Sequence, residues 1–133
     1  MAEYVLSSAA TNRAFNAIEV IEVAAKAAIE CLVWSEEPDG ENWRNAPIHP
    51  EVAYSVMKDI ASFLAVDVVY EVARRNELDP EFIGHNFYLT ANGHGTGYWD
   101  KKLPRGGEDI LHHWSQSYTR RLYMDEEGNL RSE

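Results

Sequence analysis

The stretch His85–Asp100, with the sequence HNFYLTANGHGTGYWD, constrains the fold more than any other part of the chain. Aromatic residues stand on both sides of a loop that carries three glycines and one histidine. Asn92-Gly93 is a strong turn signal because both residues tolerate positive φ. Gly95 and Gly97 allow the backbone to run where a Cβ would clash. The stretch therefore predicts a β-hairpin in which two short aromatic strands flank a functional tip.

Hydrophobic periodicity predicts two long amphipathic helices before this hairpin. The first runs from about Asn12 to Leu32, where apolar residues recur at spacings of three and four. The second begins at His49-Pro50-Glu51, because proline suits the first helical position and glutamate the first turn. Its apolar face continues to Val72, and the two helices should pack as a pair. Asp79-Pro80 predicts one further helical turn that ends before Gly84.

The residues after the hairpin predict a short helix and a second hairpin. Glu108 to about Ser117 has helical spacing, Leu122–Asp125 is typical of a strand, and Leu130 begins the return strand. The predicted fold is α+β in one domain, residues 1–133, with 1–10 forming either a flexible arm or a segment that packs on a partner subunit. Two long antiparallel helices pack on a small antiparallel sheet built from residues 86–100 and 120–131, with the short helix between them.

The charge balance disfavours one large class of partner. Twelve basic and 22 acidic side chains give a formal net charge of −10. Direct nucleic-acid binding is not expected, because phosphate contacts need lysine and arginine. The same charge suits docking on a basic protein surface, including one that nucleic acid normally occupies, although it is also typical of an acidic cytoplasmic protein with no such role. We predict an acidic interaction surface at Glu36, Glu37, Asp39 and Glu41.

The sequence predicts neither a membrane-spanning segment nor a disulfide bond. No apolar run approaches the ~18 residues needed to span a bilayer, and the first residues lack a basic region followed by an apolar core. The single cysteine, Cys31, lies in an apolar helical run, so we interpret it as a small buried apolar residue, and it fits a reducing compartment. The sequence therefore predicts a cytoplasmic protein that does not bind membranes.

The hairpin tip carries the candidate binding residues. Two interpretations remain open: the tip is an exposed recognition surface for a protein partner, or it folds back on its own domain with Trp99 in the core. The ligand- or partner-binding residues predicted there are Asn92, Gly93, His94, Gly95, Thr96, Gly97, Tyr98, Trp99 and Asp100.

Catalytic and metal chemistry have less support. His85, His94, Asp100 and one of His112 or His113 could converge on a metal, but the closely spaced ligand pairs of zinc sites are absent. The chain also has no G-x-S-x-G motif, no Cys-His pairing and no Walker loop. We therefore predict no metal, no cofactor and no catalytic residue, and favour a function other than catalysis.

The central stretch resembles a family of small uncharacterised proteins of tailed bacteriophages, whose signature is H-x-F-[WY]-L-T-x-N-G-H-G-x-G-[FY]-W-D. The main departure is Ala91, where the family has arginine. Residues 122–128, LYMDEEG, are similar to an L-Y-V-G-D-D-G pattern near the family's C-terminus. The resemblance spans about residues 30–130 and implies an accessory protein made in an infected bacterial cytoplasm. The residues that match the signature are His85, Phe87, Leu89, Thr90, Asn92, Gly93, His94, Gly95, Gly97, Trp99 and Asp100.

Two functions of different classes are expected from these observations. The first is a bacteriophage accessory protein that binds a host protein or itself, in its sharpest form an acidic inhibitor of host defence or of nucleic-acid machinery. A homodimer is compatible with it, because the apolar helix faces are broader than one small sheet covers. The alternative is a small-ligand or metal-dependent module centred on the NGHGTGYWD loop, with His94 and Asp100 at its centre.

Overall fold

The computed structural model describes residues 18–133, which form five α-helices and one small sheet. None of these helices combines the length and the apolar character required to cross a membrane. The predicted arm at 1–10 and the predicted start of the first helix lie outside the described residues. Short 3-10 turns lie at Trp43–Asn45, Tyr98–Asp100 and Pro104–Gly106. The regular elements are α1 (Ile18–Glu36), α2 (Pro50–Leu64), α3 (Asp67–Arg75), α4 (Pro80–Ala91), α5 (Gly107–Ser115), β1 (Leu122–Met124) and β2 (Leu130–Ser132).

The predicted arrangement of two long helices on a sheet is wrong. Within residues 18–133 the fold is mostly helical, and its sheet contains only β1 and β2, which pair antiparallel with Met124 opposite Leu130. Residues 86–91 belong to a helix instead of a strand, and 98–100 form a 3-10 turn. The predicted short helix corresponds to α5 and the predicted C-terminal hairpin to β1 and β2, so these two local predictions are confirmed.

Helix α4 begins where the sequence predicts a helical turn, but it does not end at Gly84. The Asp79 carboxylate accepts a hydrogen bond from the Glu81 amide at 2.8 Å, and Pro80 occupies the first helical position. Gly84 lies inside the helix, where a Cβ would stand 1.8 Å from the carbonyl oxygen of Ala24. This glycine therefore permits α1 and α4 to approach closely and does not terminate the helix.

The Asn92-Gly93 pair ends α4 instead of turning a hairpin. Asn92 is the C-cap, and Gly93 follows with φ +72°. The amide of Gly93 donates to the Thr90 carbonyl at 3.2 Å, and the amide of His94 donates to the Leu89 carbonyl at 3.1 Å. These two bonds define a Schellman motif. A hairpin turn and this helix end both need positive φ, so the dipeptide could not distinguish them.

The second predicted helix is divided into α2 and α3. Val66 adopts an extended conformation between them, with φ −72° and ψ 124°. Neither Ala65 nor Val66 is a helix-breaking residue type, so composition carries no signal for this break. The predicted apolar face therefore continues across the break only in part: Val72 is buried, but Val68, which an unbroken helix would place on that face, is 46 % exposed, and Val69 is buried in its place.

An aromatic cluster joins the helices to the glycine-rich segment. The ring of Phe63 lies 5.0 Å from that of Phe87 and 5.9 Å from that of Tyr98, measured between centroids. The predicted pairing of the two long helices is only part of the packing: α1 contacts α2, but its most extensive contact is with α4. Ala24 and Ala28 are fully buried on α1 and leave room for that close approach.

Candidate functional site

Asn92 ties the end of α4 to the segment that precedes β1. Its side-chain amide donates to the Arg120 carbonyl at 2.7 Å, and its carbonyl accepts from the Arg120 amide at 3.0 Å. The Asn92 side chain thus bonds to both the amide and the carbonyl of Arg120, as the backbone of a neighbouring β-strand would. This predicted binding residue uses its polar atoms to hold the fold together.

The other end of the glycine loop, which we define as residues 92–97, is held inside the protein. The Tyr98 amide donates to Thr90 Oγ1 at 2.9 Å, and that hydroxyl donates to the Asn86 carbonyl at 2.8 Å. Gly97 adopts φ +147°, and a Cβ there would stand 2.2 Å from Thr90 Oγ1. A side chain at position 97 would therefore break the contact that positions Tyr98.

Tyr98 and Trp99 have opposite environments. Tyr98 is fully buried, its hydroxyl donates to the Ile83 carbonyl, and burial raises the pKa of its phenol. Trp99 is 50 % exposed. The segment thus folds back on its own domain, but the aromatic residue that enters the core is Tyr98.

His94 lies next to Glu36, so the loop and the acidic cluster predicted from sequence meet. His94 Nε2 is 3.3 Å from Glu36 Oε2, and Arg121 Nη1 is 2.6 Å from the same oxygen. The Glu36 side chain is only 9 % exposed. Two cationic or cation-capable groups therefore converge on a carboxylate that the sequence predicted to be part of an exposed surface.

The remaining acidic residues of the cluster differ in accessibility. The Glu37 carboxylate is 3.9 Å from Arg44 Nε, and its side chain is 16 % exposed. Glu41 accepts a hydrogen bond from the indole of Trp43 at 2.8 Å. Asp39 is exposed. Glu36 and Glu37 are thus largely covered, whereas Asp39 and the exposed Glu41 remain accessible.

Thr96 and Asp100 complete the predicted residues of the loop. Thr96 Oγ1 donates to Asp100 Oδ2 at 2.9 Å, and Lys101 Nζ lies 2.9 Å from Asp100 Oδ1. The Lys101 ammonium and the Thr96 hydroxyl lower the pKa of Asp100. Gly93 and Gly95 have open space where a Cβ would stand, so positive φ is what requires glycine there.

The candidate metal ligands do not assemble among the described residues. No group of three or more histidine, cysteine, aspartate or glutamate side chains within 18–133 is placed to hold a metal ion. His112 Nε2 is 3.0 Å from the Gln116 amide nitrogen, and the ring of His113 packs edge-on against Trp114 at 5.3 Å. His94 and Asp100 engage different partners, Glu36 and Lys101.

A cleft between α1 and α4 is the feature that sequence reasoning missed. It has a volume of about 560 Å³ and is open to solvent. On α1, spacings of three and four place its lining residues on one stripe of the helix. That spacing was visible in the sequence, but the facing stripe was hidden because the predicted helical turn ended before Gly84, and His85 and Asn86 were assigned to the hairpin. The cleft is lined by Ala27, Glu30, Cys31, Trp34, Glu81, Phe82, His85, Asn86 and Lys101.

Asn86 is the unusual residue of this cleft. It is 2 % exposed, and its amide nitrogen donates to the Phe82 carbonyl at 2.9 Å. Its side-chain oxygen is buried and has no hydrogen-bond partner in the described part of the chain. Buried polar atoms are almost always hydrogen-bonded. An acceptor without a donor therefore marks a place where a ligand group can bind.

Cys31 lies in the same cleft but is not suited to nucleophilic chemistry. The residue is 5 % exposed, and burial raises the pKa of its thiol to about 11. The thiol is therefore protonated at neutral pH, and the thiolate is the reactive form. The sequence interpretation of Cys31 as a small buried apolar residue agrees with this environment.

Comparison with known proteins yields no relative: no protein-family model matches the chain, and neither a curated protein nor a solved structure matches it significantly. The resemblance to the phage family stays a prediction. Geometry and charge therefore support the location and chemistry of a binding surface, whereas the phage context rests on the sequence resemblance alone.

Proposed function

We propose that this protein is a bacteriophage accessory protein that binds a basic protein of the bacterial host through the α1–α4 cleft and its rim. It acts in the host cytoplasm, and its sharpest role is to inhibit host defence or nucleic-acid machinery by occupying a basic groove. The observation that carries the proposal is Trp34, which is 69 % exposed at the rim of a cleft whose carboxylates form no ion pair with another residue of 18–133.

The charges support a basic partner. The whole chain has a formal net charge of −10. Glu30 and Glu81 line the cleft, and neither forms an ion pair with another residue between 18 and 133. Lys101 also lines the cleft, but Asp100 already neutralises its charge. A partner with lysine or arginine side chains would supply the missing counter-charges and would be attracted at long range.

The tryptophan supports a protein partner. Binding hot spots are enriched in tryptophan, tyrosine and arginine, and exposed tryptophan supplies a large contact area at a small cost in side-chain entropy. Trp34 follows Glu30 by one helical turn, so one partner segment could contact both. An isolated exposed tryptophan needs no explanation, but one beside a cleft with unpaired acids forms a coherent docking surface.

The second function predicted from sequence, a small-ligand or metal-dependent module centred on the glycine loop, has no favouring observation of its own among the described residues. The polar side chains of that loop bond to their own fold: Asn92 to Arg120, His94 to Glu36, and Thr96 to Asp100. We therefore place the binding function in the cleft.

The test is capture of bacterial proteins by the immobilised chain after nuclease treatment, followed by affinity measurement with each purified partner. We expect a basic partner whose binding weakens strongly between about 0.05 M and about 0.5 M NaCl, because salt screens exposed charges. Replacing Trp34 with Ala should weaken binding by more than about tenfold, in line with a hot-spot residue.

Trp114→Ala is the matched control, since Trp114 is 42 % exposed on α5 and does not line the cleft. It should bind the partner as the parent chain does. Binding that ignores salt would contradict a charge-driven interface, and equal losses in the two tryptophan variants would contradict the location of that interface in the cleft.

A further inference from the structure

We infer that the α1–α4 cleft is a specific site for one lysine or arginine side chain, whose cationic group donates a hydrogen bond to Asn86 Oδ1. This inference deepens the proposed function, since the side chain would belong to the basic partner. It also makes a claim of its own, because a protein could bind this surface without placing a cation at Asn86.

Asn86 identifies the chemistry of the ligand. Its amide nitrogen already donates to the Phe82 carbonyl at 2.9 Å, which leaves the side-chain oxygen as the available atom. An oxygen acceptor needs a donor, and ammonium and guanidinium groups are donors only. A carboxylate or phosphate ligand would bring only further acceptors to a buried acceptor. The oxygen thus calls for a ligand that donates a hydrogen bond, and the neighbouring charged side chains decide whether that donor is cationic.

The surrounding charges select the same ligand class. Glu30 and Glu81 carry carboxylates on opposite walls of the cleft, one from α1 and one from α4. His85 and Lys101 also face the cleft, but Lys101 Nζ is 2.9 Å from Asp100 Oδ1. With Lys101 neutralised by Asp100, the two glutamates leave the cleft with an excess of negative charge.

The aromatic residues of the cleft can contact the methylene groups of a bound lysine or arginine side chain. Trp34 and Phe82 line the cleft beside Asn86. Lysine and arginine bury their methylene stems on apolar surface, and their cationic heads are attracted to aromatic faces. A cleft of about 560 Å³ has room for such a side chain together with the neighbouring backbone of its peptide. Each part of a basic side chain therefore has a complementary group.

The direct test uses blocked tripeptides with lysine, arginine or the uncharged norleucine at the centre, titrated into the full chain and followed by NMR. We expect the lysine or arginine peptide to shift the side-chain amide signals of Asn86 and the indole signal of Trp34. The norleucine peptide should leave both signals in place. Equal shifts with all three peptides would overturn the inference, because an apolar groove would then explain the binding.

Substitution of Asn86 by Leu tests the acceptor. The variant should bind the basic peptides about tenfold more weakly, because it loses a hydrogen bond to a charged group. It should also keep the melting temperature of the parent or exceed it, since the buried acceptor without a partner is removed. Unchanged peptide affinity in this variant would overturn the inference.

Three further variants test whether the effect is specific to the cleft. Asn76 makes a similar bond to the backbone four residues earlier, with its amide nitrogen 2.9 Å from the Val72 carbonyl, but it does not line the cleft. Asn76→Leu should therefore bind the peptides normally. Glu30→Gln should weaken binding about threefold, whereas Glu22→Gln, an exposed position on the same helix, should not.

The peptide and partner experiments can overturn the two proposals separately. Peptide binding that depends on Asn86, without any salt-sensitive host partner, would support the cleft chemistry and overturn the proposed function. A host partner that binds the parent and the Asn86→Leu variant equally well, without peptide binding, would leave the proposed function and overturn the basic-side-chain site.

Discussion

The C-terminal end of α4 and the earlier part of the helix differ in how their polar side chains are bonded. At the C-terminal end, Asn92 pairs with the Arg120 backbone and Thr90 links Asn86 to Tyr98. In the middle of the helix, the Asn86 oxygen has no partner within the described chain, and near the N-terminal end Glu81 is exposed without an ion pair to another described residue. Polar groups that bond to their own fold stabilise it, whereas those left without partners are available to a ligand. The polar side chains of the glycine loop thus bond mostly to their own fold, whereas Glu81, Phe82, His85 and Asn86 line the candidate site.

The largest expected effect comes from Gly84, which lies between the two ends. An alanine Cβ would stand 1.8 Å from the Ala24 carbonyl oxygen, and this backbone atom cannot move without displacing α1. We expect the free energy of unfolding to fall by more than about 3 kcal/mol, measured by urea denaturation, with both ends of α4 affected. Gly95→Ala is the reference without a clash: open space surrounds it, but its φ of +80° favours glycine, so we expect a smaller loss of about 1 kcal/mol. Equal losses in the two variants would show that the close helix contact has no energetic weight.

Gly97→Ala should damage the C-terminal end alone. The substitution combines a backbone conformation that only glycine adopts easily with a contact of 2.2 Å to Thr90 Oγ1. We expect a loss of about 2–3 kcal/mol in unfolding free energy, together with faster hydrogen exchange of the Tyr98 amide. The basic peptides should still bind the cleft of the folded fraction. A variant that loses peptide binding while it remains folded would connect the loop to the site and weaken the contrast between the two ends.

Asn92→Ala removes two hydrogen bonds and should destabilise the fold by about 2 kcal/mol, because it leaves the Arg120 amide and carbonyl without their partner. Asn45→Ala, at an exposed position, serves as the reference and should change stability very little. Thermal unfolding of the three proteins gives the comparison. If Asn92→Ala were as stable as the reference, the two hydrogen bonds to Arg120 would not contribute to the free energy of unfolding.

The smallest expected effect has the opposite sign. Asn86→Leu replaces a buried side chain whose oxygen lacks a partner, so unfolding free energy should rise by up to about 1 kcal/mol. Chemical denaturation beside Asn92→Ala tests the comparison most directly, since asparagine would then stabilise the C-terminal end of α4 and cost stability in the middle of the helix. A loss of more than about 1 kcal/mol would indicate that the Asn86 side chain has an unrecognised structural role.

Local signals predicted the elements that depend on local chemistry. Asp79-Pro80 begins a helix because its cap bond lies within three residues of chain. The C-terminal hairpin forms around Asp125, whose carboxylate accepts from the Glu127 and Asn129 amides, and Gly128 supplies φ +85°. These contacts join residues at most four positions apart, so the residue types that form them can be recognised in the sequence.

The central stretch was misassigned because its local preferences are divided. Phe87, Tyr88 and Thr90 favour strands, and Asn92-Gly93 suits a hairpin as well as a helix end. Burial decided between them: Phe87 and Tyr88 enter the core from a helix that lies against Ala24 and Ala28 of α1. Residues that are distant in the chain thus overrode the local pattern.

The candidate site could be predicted from the sequence only in part, for the same reason. Its α1 stripe could be found from helical spacing, but the facing stripe on α4 required the correct secondary structure. The meeting of Glu36 with His94 and Arg121 joins three distant segments, and no pattern in the sequence specifies it.

The sequence by itself determined the acidic charge, the start of α4, the short helix α5 and the C-terminal hairpin, because these follow from composition or from contacts between near neighbours. Only the tertiary structure decided that the aromatic part of the central stretch is a helix with a Schellman end, that Tyr98 is in the core, and that a cleft opens beside Trp34 in which the Asn86 oxygen has no partner among residues 18–133. These features depend on how closely α1 and α4 approach. That distance is set by Gly84 against Ala24, two residues whose proximity arises only on folding.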